Sequence, residues 1–263
     1  AEELLTLARL LDAPVTLTHN AKGLLPLGHP LLVQSSPSFA PVRELYSQAD
    51  VILAIGTEFS ETDYDFFFDG QFSLGGKLIR IDIDSTQLMR NVRPDIAIQA
   101  DSRLTLLQLL ESITGQKRDG AGRTAKVNQA VKSLDNEDYQ AFLDCFQRAL
   151  PGVIVMGDST QPAYFAASQY HPPRPRLFAS AATGYGTLGY ALPAAFGAKL
   201  AMPDSPVIAL IGDGGLQFTI NELSSGVEAG LGVAIVVWNN QRYEMIAQNF
   251  EDAGMAPIAC DIH

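Results

Sequence analysis

Cysteine is almost missing from this 263-residue chain: Cys145 and Cys260 are the only two, far apart and outside any C-x-x-C spacing. That pattern excludes a disulfide framework and a cysteine zinc site, and it fits a reducing compartment. No run of about 18 apolar residues occurs, as a membrane-spanning helix would need, and no charged-then-apolar leader opens the chain. The chain therefore reads as soluble and cytoplasmic, without a membrane partner. Positive charge is also scarce, 18 Lys and Arg against 29 Asp and Glu for a net charge of −11, which leaves no polybasic face for nucleic acid or anionic lipid. An anionic ligand would need local help. The four histidines, His19, His29, His171 and His263, lack ligand-like spacing and read as packed or solvated.

What is present is a normal globular mixture, 47% hydrophobic and 18% charged, on a chain long enough for two domains. Leucines at 4, 5, 7, 10 and 11 predict an amphipathic helix over 1–11. Strand-like runs follow at Pro14–Thr18, Val51–Ile55 and Lys77–Asp82, with helical stretches at Pro41–Ser47 and Ser102–Ile113. The text then turns polar in "GQKRDGAGRT", and a more acidic helical stretch, Ala125–Leu150, reads as a tether. A second series begins at Val153–Met156, passes "GDSTQ" to a helix, reaches a glycine-rich helix start in 184–198, and continues with strands at Val207–Ile211 and Val233–Trp238. Alternating strands and helices predict an α/β chain of two domains, each a mostly parallel sheet flanked by helices. The first spans 1–124, the tether 125–150 and the second 151–263.

In such sheets ligands sit beyond the carboxyl ends of the strands. The polar clusters there are Gly157-Asp-Ser-Thr160, Gly212-Asp-Gly-Gly215 and Asn239-Asn-Gln-Arg242. Between Gly214 and Asn239 lie 24 residues, the length of one helix plus one strand, so a right-handed crossover brings Asp213 and Asn240 to the same sheet edge. A carboxylate and an amide oxygen suit magnesium, a hard ion that takes few protein oxygens and completes its shell with water and ligand phosphates. The Arg242 carbonyl offers a third oxygen. Glycines at 212, 214 and 215 allow close approach of backbone N–H groups to a phosphate, ahead of a helix expected over Thr219–Ala229.

G-D-G, a 24-residue spacer and N-N together resemble the cofactor signature of the thiamine diphosphate-dependent enzymes. The text "ATGYGTLGYALPAAFGAKLAMPDSPVIALIGDGGLQFTINEL" resembles the pyrophosphate-binding domain of the acetolactate synthase and 2-oxo acid decarboxylase group. "TLTHNAKGLLPLGHPL", "ADVILAIGTEF" and "KLIRIDIDSTQL" resemble its middle domain, so the likeness covers nearly the whole chain. Within the group, "GDSTQPAY", "SAATGYGTLGYALPAA" and "WNNQRY" are similar to decarboxylases of 5-guanidino-2-oxopentanoate.

The resemblance implies thiamine diphosphate and Mg2+ as cofactors, with Asp213, Asn240 and the Arg242 carbonyl on the metal. It implies Gly212, Gly214, Gly215, Ser159, Thr160 and Tyr243 around the cofactor. Leu188 matches the large apolar residue that bends the cofactor, and the Gly186 carbonyl the acceptor of its pyrimidine amino group; the bend brings that group to the thiazolium C2 proton. It further implies a 2-oxo acid substrate, decarboxylation or carboligation as the reaction, and a homodimer or homotetramer with the site at a subunit interface. The family also carries a pyrimidine-binding domain of about 150 or more residues with a glutamate, not recognisable here. The chain is therefore expected to be a fragment of a larger subunit, inactive alone. "QRYEMI" departs from the commoner form with glycine beside the tyrosine.

Other readings stay open. Gly184, Gly186 and Gly189 spell G-x-G-x-x-G, but no clear strand precedes them for a dinucleotide site. Asp82 and Asp84 end a strand as a ribose-binding acid would, yet a loop cap is the simpler role. No flavin motif is evident. A non-catalytic nucleotide- or effector-binding protein that keeps this fold is the alternative to an enzyme.

Overall fold

The computed structural model describes residues 1–64, 72–132 and 137–262, and the chain divides into two compact units, Ala1–Asp135 and Asn136–His263. Residues 133–136 of the expected tether and His263 lie outside the described residues.

The first unit contains α1 (Glu2–Leu11), α2 (Ala40–Ser47), β1 (Val51–Ile55), α3 (Glu61–Tyr64), β2 (Lys77–Asp82), α4 (Ser85–Leu88), β3 (Ile96–Gln99), α5 (Ser102–Ser112) and α6 (Gly120–Lys132). Helix α1 buries Leu7 and Ala8 and ends at Asp12, whose left-handed φ of 47° turns its amide back onto the Ala8 and Arg9 carbonyls. The sheet is parallel in the order β1-β2-β3. Sequence reading did not mark β3. The strand expected at Pro14–Thr18 shrinks to one parallel bridge, Val15 with Leu32: the Val15 amide donates to the Leu31 carbonyl and its carbonyl accepts from the Val33 amide, while the Thr18 carbonyl turns to the Ala21 amide.

The polar text after Thr114 gives way to helix α6 at Gly120, ahead of the helical tether expected from Ala125, and the Asp12 carboxylate, more than a hundred residues earlier, accepts from the Arg118 and Gly120 amides. Asp84 is the N-cap of α4 and accepts from the Thr86 amide, as the cap reading of "RIDIDS" anticipates. On β2 the buried Arg80 donates to the carbonyls of Thr57, Arg90 and Val92 at 2.7–2.8 Å, which offsets its desolvation. His19 and Lys22 are buried near Asp63, whose Oδ1 accepts from the His19 amide at 2.8 Å. Burial pushes the Lys22 ammonium down to about 7, against the opposing pull of Asp63.

The second unit runs α7 (Glu137–Ala149), β4 (Ile154–Gly157), α8 (Gln161–Gln169), β5 (Phe178–Ser180), α9 (Ala191–Ala201), β6 (Val207–Gly212), α10 (Asp213–Thr219), α11 (Glu222–Glu228), β7 (Ala234–Trp238) and α12 (Glu244–Asp252). Its sheet is parallel in the order β5-β4-β6-β7. Alternate residues serve opposite faces: Val155, Ile208 and Leu210 join Ala163 and Leu143, whereas Ile154, Val207, Ala209 and Ile211 join Leu192 and Ala195. Both faces of β6 are thus covered, and all six of its residues are buried, as its uninterrupted apolar text requires. The chain leaves β4 toward β5 on one side and β6 toward β7 on the other, so the direction of winding switches between β4 and β6.

The helix expected at Thr219–Ala229 begins at Asp213, with Ile220 and Asn221 in right-handed helical backbone joining α10 to α11. A strand, β5, does precede the glycines at 184–189; its three residues are too short to show a period.

Candidate functional site

The carboxyl ends of β4, β6 and β7 lie on one edge of the sheet and carry the three polar clusters. Gly212 pairs with Trp238 in the β6–β7 register, so Asp213 and Asn239 are the next residues of adjacent strands. Asp213 Oδ2 accepts from the Gln241 amide at 2.9 Å, and Asn239 Oδ1 accepts from the same amide at 3.2 Å. Gln241 reaches this position with φ of 56°, a left-handed conformation that folds the loop back over the end of β6. Asn240 Oδ1 accepts from the Arg242 amide at 3.3 Å.

Beyond the loop, the Tyr243 amide donates to the Cys260 carbonyl and the Ile262 amide to the Gln241 carbonyl, each at 2.7 Å. The Arg242 side chain points away into carboxylates, Glu251 at 3.0 Å, Asp261 at 3.4 Å and Glu244 at 3.6 Å. The hydrogen bond to Glu251, reinforced by Glu244 and Asp261, raises its pKa.

Gly214 and Gly215 form the first turn of α10, where backbone N–H groups have no intrahelical acceptor. A side chain at either would meet protein: a methyl on Gly214 would lie 2.6 Å from Tyr243 Cε1 and 2.8 Å from Ile262 Cδ1, and one on Gly215 would lie 2.8 Å from Asp158 Oδ1. These glycines are demanded by the packing beneath the turn. Ser159 Oγ donates to the Gly186 carbonyl at 2.9 Å, and Thr160 is buried, its hydroxyl 3.3 Å from where a Gly212 methyl would sit. Gly186, with φ of 64°, and Leu188 occupy the turn before α9, Gly186 exposed and Leu188 half-buried.

The sequence puts Asp158 and Gln241 in two of the polar clusters without giving either a role, and Thr219 is not marked as part of this arrangement. Asp158 had a signal, since Gly157-Asp158 ends a buried strand just as Gly212-Asp213 does. Among the described residues no group of three or more His, Cys, Asp or Glu side chains gathers as a metal site. No helix among them is long and apolar enough to cross a membrane.

Two protein-family models match. The one described as "Thiamine pyrophosphate enzyme, central domain" covers residues 1–109, and "Thiamine pyrophosphate enzyme, C-terminal TPP binding domain" covers 158–261. The chain belongs to the thiamine pyrophosphate enzymes. It is 36% identical over 269 residues to the probable 2-ketoarginine decarboxylase AruI of Pseudomonas aeruginosa, covering 97% of this chain and 47% of that protein. It is 30% identical to a probable acetolactate synthase large subunit of Methanococcus aeolicus (94% of this chain, 45% of the relative) and to the acetolactate synthase isozyme 1 large subunit of Escherichia coli (92% and 44%). The chain thus spans less than half the length of these relatives.

The residues present fit the cofactor of this family, thiamine diphosphate, with a divalent ion. Asp213 Oδ1 accepts no hydrogen bond among the described residues, the Asn240 amide oxygen is held only by the long bond from Arg242, and the first-turn amides of α10 stand beside them. All the side-chain donors are oxygens, the set a hard cation takes.

Proposed function

We propose that this chain forms the metal- and diphosphate-binding part of a thiamine diphosphate enzyme that acts on 2-oxo acids. The observation that carries the proposal is the Gln241 amide shared between Asp213 and Asn239, which ties the ends of β6 and β7 together at one edge of the sheet. Asp213, Asn240 and the Arg242 carbonyl would hold Mg2+, and the Gly214 and Gly215 amides the diphosphate, with Gly212 setting the turn and Tyr243 packed beneath. Ser159 and Thr160 line the neighbouring strand end. Leu188 would fix the bend of the bound cofactor and the Gly186 carbonyl its amino group.

When bound, thiamine diphosphate supplies the electron sink that lets a bond beside a carbonyl break or form. The chain's own contribution is to anchor, orient and neutralise charge. The likeness to a 2-ketoarginine decarboxylase favours decarboxylation of 5-guanidino-2-oxopentanoate, which is 2-ketoarginine; that to acetolactate synthases supports carboligation as the second reading. Exposed apolar side chains on the helices after β6, including Ile220, Leu223 and Val227, support a homo-oligomer in which another subunit completes the site. The free thiols Cys145 and Cys260 suit a reducing cytoplasm.

Calorimetric titration of the chain with thiamine diphosphate, with and without magnesium, tests the binding role. Magnesium-dependent binding is expected, and equal heats without the metal would refute the metal assignment. Product analysis with a panel of 2-oxo acids separates decarboxylation from carboligation. The 263-residue chain alone should give no turnover, while a protein restoring the length of the relatives should.

A further inference from the structure

Asp158 is fully buried at the end of β4, yet it is surrounded by donors from three places. Its Oδ1 accepts from the Ser159 amide at 2.9 Å and the Gly189 amide at 3.2 Å, and its Oδ2 accepts from the Ala191 amide at 2.9 Å. Ala191 opens α9, whose own N-cap residue, Tyr190, makes no side-chain cap bond. Asp158 therefore caps α9 from another strand. The Gly215 contact places the first turn of α10 against the same carboxylate.

The turn that carries Leu188 is held at further points. Ser159 Oγ donates to the Gly186 carbonyl, and Thr219 Oγ1, at the end of α10, donates to the Gly189 carbonyl at 2.9 Å. Gly189 has φ of 88°, and a methyl there would lie 2.8 Å from Thr219 Cγ2. A buried carboxylate is tolerable only when its hydrogen bonds are made, and here each one ends on a segment of the candidate site.

We propose that Asp158 is a positioning residue that fixes the Leu188 turn relative to the first turn of α10. This rests on the reading above, in which Leu188 and Asp213 serve one cofactor. The carboxylate sets the spacing between the group that bends the cofactor and the groups that anchor its diphosphate. Asp158→Asn keeps the size but swaps one acceptor for a donor that faces an amide N–H.

Hydrogen exchange on the chain without cofactor tests the brace. In Asp158→Asn the amides of Gly189 and Ala191 should exchange about tenfold faster or more, the loss expected of hydrogen bonds to a charged acceptor, while those of β4 and β6 hold. In the assembled holoenzyme, magnesium-dependent affinity should stay within a few-fold and exchange of the cofactor C2 proton should slow by about tenfold. A merely structural residue would instead lower affinity, proton exchange and thermal stability together. Should Asp158→Asn fail to fold, Thr219→Val loosens the same turn from its other side and should slow C2 exchange by about threefold. Unchanged amide exchange would overturn the brace, and faster amide exchange with parental C2 exchange would overturn the positioning role. Absence of cofactor binding by the parent would instead refute the underlying reading, because the amide measurement needs no cofactor.

Discussion

The backbone amide of Gln241 donates to Oδ2 of Asp213 at 2.9 Å, across 28 residues of sequence. One carboxylate oxygen is thereby oriented by the loop that also carries Asn240, and the other accepts no hydrogen bond among the described residues. Asp213→Ala should abolish magnesium-supported binding of thiamine diphosphate, because it removes the only charged side chain among the proposed metal ligands. Asn240→Ala should weaken binding less, since an amide oxygen carries no net charge. Titration calorimetry on both variants checks this, and parental affinity in the Asp213 variant would refute the assignment.

Gly214 sits against the Tyr243 ring so closely that a methyl would approach it to 2.6 Å. Gly214→Ala should therefore destabilise the second unit by about 1–3 kcal/mol, the usual cost of overpacking. Adding Tyr243→Leu should recover part of the loss. Thermal denaturation of the two variants measures it, and a stable single variant would show that the loop shifts freely.

Leu188 is half-buried in a turn held at Gly186, Gly189 and Ala191. Leu188→Ala should leave magnesium-dependent affinity nearly unchanged but slow exchange of the cofactor C2 proton in the assembled enzyme by about tenfold or more. Proton exchange at the parental rate would reduce Leu188 to a packing residue.

Lys22 gives a pH prediction. Its folded pKa is depressed to about 7, first by burial and against the opposing effect of Asp63, while the unfolded chain keeps the ordinary value of 10.5. Between those values the unfolded state binds the extra proton, so stability rises with pH across the window, by at most about 1.4 kcal/mol per pH unit. Below about pH 7 the cost of the buried charge is felt in full. Denaturant midpoints of the parent should climb from pH 7.5 to 9.5 relative to Lys22→Met, in which this contribution is gone. Parallel profiles would show that Lys22 stays charged.

The sequence by itself determined the α/β class, the strands β1, β2, β4, β6 and β7, and the placing of Asp213 and Asn240 at neighbouring strand ends. Those properties are local: an apolar run too short for a helix and bounded by glycine and polar residues favours a strand from its own composition. The 24-residue spacer is likewise a local length. The tertiary structure decided what depends on partners distant in sequence. The bridge at Val15 replaced a strand because Leu31 and Val33 pair with Val15 while Thr18 turns to the Ala21 amide. Helix α6 starts at Gly120 because Asp12 caps it, and α9 starts at Ala191 because Asp158 does. The glycines at 214 and 215, legible as a phosphate loop, are required by Tyr243, Ile262 and Asp158 packed beneath a helical turn. A side chain's chemistry is written in its own residue, but the atoms that satisfy it are chosen by the fold.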